Sequence, residues 1–281
     1  MRSTRNLVHI VSVSALLLAG VLSSRTAHAE ADTFGIGSGR TGVGSITTAG
    51  AVVNAYASIT PTAVATGASS ITVNSAAGFA AGDLILIWQT TGVAAAISGS
   101  PAATDLSLVP TGSFEYARIK SVVGAVVTLT NPIVSATGFA ANTSQIVRIP
   151  EYTTLSITGA GTITAAPWNG TKGGIVAIFA NNTVTNNTLI SAATSGFRGG
   201  VLVNDDLVNG CSANDGPVVA ALVAPLDFNL LAGGAKKGEG LLPADFSTST
   251  ANPTDVANLI TYGRGNITNG GGGGDCSNSG G

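Results

Sequence analysis

The sequence predicts an all-β protein: a small antiparallel barrel or sandwich, then short parallel β-helix-like coils, then a glycine-rich tail. Three observations carry that expectation. Between residues 70 and 150, short apolar or alternating runs recur, each closed by Gly, Pro or Asn, and helix signals are few. After Pro150 the runs shorten and the turns carry Asn-Gly or Asn-Asn pairs. The composition sets 38 glycines and 44% hydrophobic residues beside only 9% charged ones. Disorder follows from low hydrophobicity with high net charge, and this chain has the reverse.

Residues 1–29 have the layout of a secretory signal peptide. Arg2 and Arg5 precede an apolar run from Leu7 to Leu22, and Ala27-His28-Ala29 offers small residues for cleavage between Ala29 and Glu30. A membrane anchor needs about twenty clean apolar residues, and His9, Ser12 and Ser14 interrupt this run. No later stretch is long and apolar enough to span a bilayer, so none is expected after signal removal.

Residues 30–45 read as a glycine-rich, flexible lead-in. Gly37-Ser38-Gly39-Arg40-Thr41-Gly42 matches the dinucleotide fingerprint in form only. That motif needs a buried strand before it and an acid about twenty residues after it. Here Ala31-Asp32-Thr33-Phe34 precedes, and no acid occurs between Asp32 and Asp83.

Residues 46–150 supply the barrel or sandwich. Ile71 and Val73 alternate with polar neighbours, and the turn Phe79-Ala80-Ala81-Gly82-Asp83 launches a central strand. That strand, Leu84-Ile85-Leu86-Ile87-Trp88, is a continuous apolar run, as expected where both faces are covered. Strands over 115–120, 126–130 and 145–149 follow, separated by Gly124, Asn131-Pro132 and Gly138. Trp88 reads first as a core or rim aromatic.

Residues 151–200 supply the coils, with strands expected over 155–158, 162–164, 175–179, 183–185 and 189–191. Leu155 and Ile175 begin similar strand–turn–strand stretches, which fits a parallel β-helix with coils of about twenty residues. Asn tolerates positive φ and its amide can bond up such a stack. A meander continuing the first domain is the alternative.

Residues 201–281 are irregular and glycine-rich. Asn252-Pro253-Thr254-Asp255 opens one short helix that Gly263 ends. Lys236-Lys237 beside Glu239 reads as a polar turn, and no phosphate loop follows it. The tract Gly270–Gly274 and the residues to Gly281 have almost no side chains to bury, so backbone bonds or neighbouring protein must order them. The tail reads as one that continues beyond Gly281.

The available chemistry is narrow. Both histidines, His9 and His28, lie in the signal, so the mature chain has none for Ser-His-Asp or Cys-His catalysis or for zinc. Loss of Arg2, Arg5 and Arg25 from the 12 basic residues leaves 9 against 14 acidic ones, without a nucleic-acid footprint. Cys211 and Cys276 are compatible with one disulfide in an oxidising compartment, although Cys276 could also pair within a continuation of the chain. Asp205-Asp206 with Asn209, Asn214 and Asp215 is the densest oxygen cluster. Leu207 breaks a calcium-loop spacing there, and adjacent carboxylates on an extended chain point to opposite faces, so a solvated loop is the simplest reading. No catalytic residue, cofactor or metal is therefore expected.

One stretch of segments resembles a known group. Residues 82–87, Val147-Arg148-Ile149-Pro150-Glu151-Tyr152-Thr153, Ala166-Pro167-Trp168-Asn169-Gly170-Thr171-Lys172-Gly173-Gly174, Gly196-Phe197-Arg198-Gly199-Gly200 and Gly238-Glu239-Gly240 resemble the N-terminal region of large secreted glycine-rich bacterial surface proteins, some of them adhesin-like or of gliding motility. The resemblance covers most of the mature chain and implies a tract that runs on into further domains. The tail is also similar, over about twenty residues, to the glycine-rich domain of anaplastic lymphoma/leukocyte kinase receptor ectodomains, where glycine strands pack as extended three-residue-per-turn helices. Neither resemblance brings catalytic residues.

The resulting expectation is a secreted or cell-surface bacterial structural or adhesive protein without enzymatic activity, whose partners are surface glycans or other surface proteins. Two alternatives stand beside it. One is a carbohydrate-binding module using Trp88 or Trp168 as ligand aromatics; the other is a carbohydrate-active β-helix enzyme using carboxylates.

Overall fold

The computed structural model describes residues 35–93, 110–198 and 239–241. The signal and its Ala29–Glu30 bond, Cys211 and Cys276, the Asp205–Asp206 loop, Lys236 and Lys237, the helix after Asn252 and the glycine tail lie outside the described residues. Within them the fold is all β, with no helix. No helix there is long and apolar enough to cross a membrane.

The strands are β1 (Gly42–Ile46), β2 (Ala51–Val52), β3 (Tyr56–Ser58), β4 (Ser70–Thr72), β5 (Leu84–Gln89), β6 (Phe114–Val123) and β7 (Val126–Leu129). They continue with β8 (Ser144–Ile149), β9 (Glu151–Ile157), β10 (Thr162–Thr164), β11 (Phe179–Ala180), β12 (Val184–Asn186) and β13 (Leu189–Ser191).

Six strands form an antiparallel sheet in the order β3-β8-β5-β6-β7-β4. It curls until its outer strands meet, because Ile59 beyond β3 bridges Val73 beyond β4. Ile59, Ile71, Ile85, Ile87, Ile119, Leu129, Phe139 and Ile146 fill the inside of the curl. The expected turn before β5 is present. Asp83 N–H donates to the Ala80 carbonyl, and Asp83 Oδ2 accepts the Ala80 N–H at 2.8 Å.

β5 and β8 are buried along most of their length because their other faces are covered too. Leu84, Leu86, Val147 and Ile149 form a second cluster under Ile175, Ala177 and Phe179. The intervening residues Val176, Ile178 and Ala180 turn the opposite way and pack on a third cluster of Tyr152, Leu155, Ile157 and Ile163. Side chains of an extended chain alternate in direction, so one run separates two cores.

The third cluster lies within parallel coils. β9 pairs in parallel with β1 on one side and with β11 and β12 on the other, while β10 sits between β2 and β13. The coil spacing differs from the twenty residues expected. Leu155 aligns with Gly44 and with Val184, twenty-nine residues on, so Ile175 does not begin the next coil. The extra length is taken by residues 166–174, which leave the coil and return to the antiparallel sheet. Residues 42–52 also belong to the stack, a partnership that spans more than a hundred residues.

The corner asparagines act by a different device from the one expected. Among the described residues only Asn142 and Thr194 are non-glycines at positive φ. Asn186 Oδ1 instead accepts the Thr188 N–H, and Asn169 Oδ1 accepts the N–H groups of Thr171 and Lys172. These are side-chain-closed turns.

Polar ties lock the coils to the curled sheet. Glu151 of β9 is 1% exposed, pairs with Arg118 of β6 through both oxygens, and accepts Ser38 N–H at 2.8 Å. Thr41 adds bonds to the Glu151 backbone in both directions. The fingerprint-like Gly37–Gly42 stretch is thus a clasp over Glu151, which corrects the reading of a flexible lead-in for those residues. Asp83 pairs with Arg148 at 3.1 Å and with Arg40 at 3.5 Å. Asn54 donates its amide to the Arg148 and Ala177 carbonyls and accepts Ala177 N–H.

Candidate functional site

Where β5 runs past the cover of residues 175–179, the two layers part and leave a cleft of about 550 Å³. One wall is the outer face of the antiparallel sheet, with Leu86, Trp88, Thr90 and Gln145. The opposite wall is Trp168, residues 173–176 and Phe197, and Thr111 and Leu241 stand at the rim. Trp88 and Trp168, 80 positions apart in the chain, line the same space. The structure thereby brings together the two aromatics picked out from the sequence.

Bonds between the walls and within one of them hold the cleft. Gln145, opposite Trp88 in the strand register, accepts Gly173 N–H at 2.8 Å and donates to the Gly173 carbonyl and to Thr90 Oγ1. Trp168 N–H donates to the Ser195 carbonyl, and its ring meets Phe197 edge to face at 5.6 Å and 88°. Trp168 is 5% exposed and Trp88 is half-buried, so Trp168 backs the wall while Trp88 offers more of its ring. The Tyr56 phenol donates to the Ile175 carbonyl at 2.5 Å, and burial pushes its pKa up, offset in part by a backbone contact at Ala166.

The rim is closed by a residue whose role the sequence hid. Glu239, read above as part of a polar turn, is 3% exposed and pairs with Arg198 through both oxygens and the Arg198 N–H. Gly170 lies against this pair, its missing Cβ 3.2 Å from Arg198 Nη2. Leu241 accepts N–H bonds from Gly92 and Val93 at 2.9 and 3.2 Å. Three of the segments that carried the resemblance therefore converge on one edge of the cleft.

The chemistry of the lining is apolar with a few hydroxyl and amide groups. None of the described lining residues bears an ionisable side chain. Thr111 Oγ1 is buried and has no hydrogen-bond partner among the described residues. The four described carboxylates serve elsewhere: Asp83, Glu151 and Glu239 in ion pairs, and Glu115 as acceptor for the N–H groups of Val134 and Ser135. No group of three or more His, Cys, Asp or Glu among the described residues could hold a metal ion.

Beside the cleft runs a file of rings that sequence reasoning missed. Trp88 stacks on Phe114, its cross-strand partner, at 6.0 Å and 21°. Phe114 meets Tyr116 at 6.0 Å, and Tyr116 meets Phe179 at 6.2 Å. Phe114 and Tyr116 are two apart on β6 and so share a face. The apparent start of that strand at Glu115 concealed the first of them.

No protein-family model matches the chain, and no curated protein matches it. Partial likenesses are found among solved phage tailspikes. The tailspike gp61 of Pseudomonas phage phi297 is 18% identical with a TM-score of 0.24, over 40% of this chain and 18% of its own. The Gp54 tailspike of Acinetobacter baumannii bacteriophage AP22, solved in complex with A. baumannii capsular saccharide, is 13% identical with a TM-score of 0.25, over 44% and 26%. The tailspike protein gp49 from Pseudomonas phage LKA1 is 16% identical with a TM-score of 0.24, over 45% and 27%. The chain spans less than a third of the length of each. Likeness of this extent decides no function.

Proposed function

We propose that this chain is an exported, surface-associated adhesive module that holds saccharide in the Trp88–Trp168 cleft and does no chemistry on it. The cleft carries the reading. A sugar has apolar C–H faces and a rim of hydroxyls; the Trp88 indole suits the former, and the Thr90 hydroxyl suits the latter. General acid–base work on a glycosidic bond needs a suitably placed pair of carboxylates. The described carboxylates are committed to ion pairs and backbone N–H groups, which supports binding over turnover. The signal-like residues 1–29 supply the export half of the proposal.

Immobilised polysaccharides and titration calorimetry test it. Trp88→Ala should weaken binding about fivefold or more, since a stacked ring is worth on the order of 1 kcal/mol or more. Reducing-end assays on any bound polymer should show no release. Saccharide binding that ignores Trp88 would remove the cleft from the account, and sustained release would replace adhesion with catalysis.

A further inference from the structure

We propose that the cleft and the file of rings beside it form a single track for an uncharged polysaccharide. The cleft takes one unit, and Phe114 and Tyr116 stack on the units that follow. This rests on the saccharide reading above and names its ligand class: an internal stretch of a neutral polymer.

The track begins with Trp88, which lines the cleft and also stacks on Phe114. From there the rings of Phe114, Tyr116 and Phe179 follow at steps of 6.0 to 6.2 Å. The strand register aligns the first three, because Trp88 and Phe114 are opposite and Tyr116 faces Leu86. Phe114 is 56% exposed and Tyr116 36%, while Leu86, their neighbour on the same face, is 7% exposed. Rings that serve only packing would be covered as Leu86 is.

Area decides between a polymer and a protein partner. An aromatic residue carries about 150–250 Å², so four partly covered rings in single file present on the order of 300 Å². A stable protein interface needs about 800 Å² from each partner. A file one ring wide suits a thin chain lying along it. The charge pattern selects a neutral one. Among the described residues the cleft lining has no ionisable group, and at the far end of the file Arg118 is paired with Glu151.

The experiment uses the full chain with dextran, mannan, a β-glucan and a galactan, with polygalacturonate and alginate as anionic comparisons. Oligosaccharides of increasing length are then prepared from whichever polymer binds. Neutral polymers should bind in preference, with affinity rising about tenfold or more from the shortest to the longest oligomers. The double variant Phe114→Ala/Tyr116→Ala, with an unfolding midpoint matching the parent, should erase most of that advantage. Affinity flat with length but sensitive to Trp88→Ala would keep the cleft and overturn the track. Preference for the anionic polymers, or an unchanged length profile in the folded double variant, would overturn it as well. Self-association in ultracentrifugation that the double variant abolishes would assign the rings to a second copy instead. Absence of binding to every polymer would remove the saccharide reading and the track with it.

Discussion

Glu151 sits where the curled sheet, the coils and the Gly37–Gly42 clasp meet, and its carboxylate serves all three. It pairs with Arg118, accepts Ser38 N–H and is 1% exposed. Removing one member of a buried pair leaves the other charge uncompensated. Glu151→Gln should therefore lower unfolding free energy by about 3 kcal/mol, read from a denaturant titration. A midpoint equal to the parent's would show that Arg118 finds another partner without loss. Gly173 plays the matching role in the cleft. Its φ is +108°, and an added Cβ would stand 2.5 Å from the Pro167 carbonyl oxygen and 2.9 Å from that of Ala166. Gly173→Ala should shift the loop carrying Trp168 and weaken saccharide binding about tenfold, a loss typical of a misplaced binding group. Gly196, with nothing within 4 Å of an added Cβ, is the contrasting site, where Ala should change stability by less than about 0.5 kcal/mol.

The strands divide by how many faces they cover. β5 and β8 are covered on both, and only β5 reads as an apolar run, from Leu84 to Trp88; β6 is covered on one, and its outer face leaves Phe114 56% and Tyr116 36% exposed. Residues 175–180 make few ladder bonds yet belong to two cores, because alternate side chains reach opposite clusters. In the coils, close approach replaces side-chain filling. A Cβ on Gly161 would overlap the Ile46 carbonyl, which itself accepts the Thr158 N–H. Gly161→Ala should force the β1 and β9 coils apart at that corner and destabilise the protein by about 1–3 kcal/mol. Thermal unfolding would measure it; a variant as stable as the parent would mean the corner relaxes freely.

At the scale of the whole molecule, two phenols are drawn out of water, Tyr56 half-buried and Tyr152 buried, and that makes stability depend on alkaline pH. Tyr56 lies between the curled sheet and the 175–180 run, and Tyr152 lies in the coil core. Burial raises both pKa values; for Tyr152 the positive charge of Arg148 opposes part of the rise. The fold thus favours the protonated phenols. Their contribution is complete below the ordinary phenol value of about 10 and is lost as pH rises through the higher folded values. Unfolding free energy should fall with pH above about 10, and the Tyr56→Phe/Tyr152→Phe variant should show a flatter decline. Equal slopes in the two proteins would assign the alkaline loss to other groups.

Much of this architecture could be read from local pattern. Alternation at Ile71 and Val73, the run from Leu84 to Trp88 and the change of rhythm after Pro150 report side-chain direction and turn chemistry, which are properties of neighbouring residues. Those local rules were enough for the all-β class and for most strand positions. They carry no information on which distant segments share a space. Nothing near Leu155 specifies Gly44 and Val184 as its partners, and nothing near Glu239 specifies Arg198. The twenty-nine-residue coil, the clasp over Glu151 and the ring file on β6 depend on register between strands far apart in the chain. The sequence by itself determined that this protein is built of strands and which residues are apolar enough to be buried. Only the tertiary structure decided which rings stayed exposed beside the cleft, because exposure depends on where a covering segment stops, and residues 175–180 stop short of Phe114.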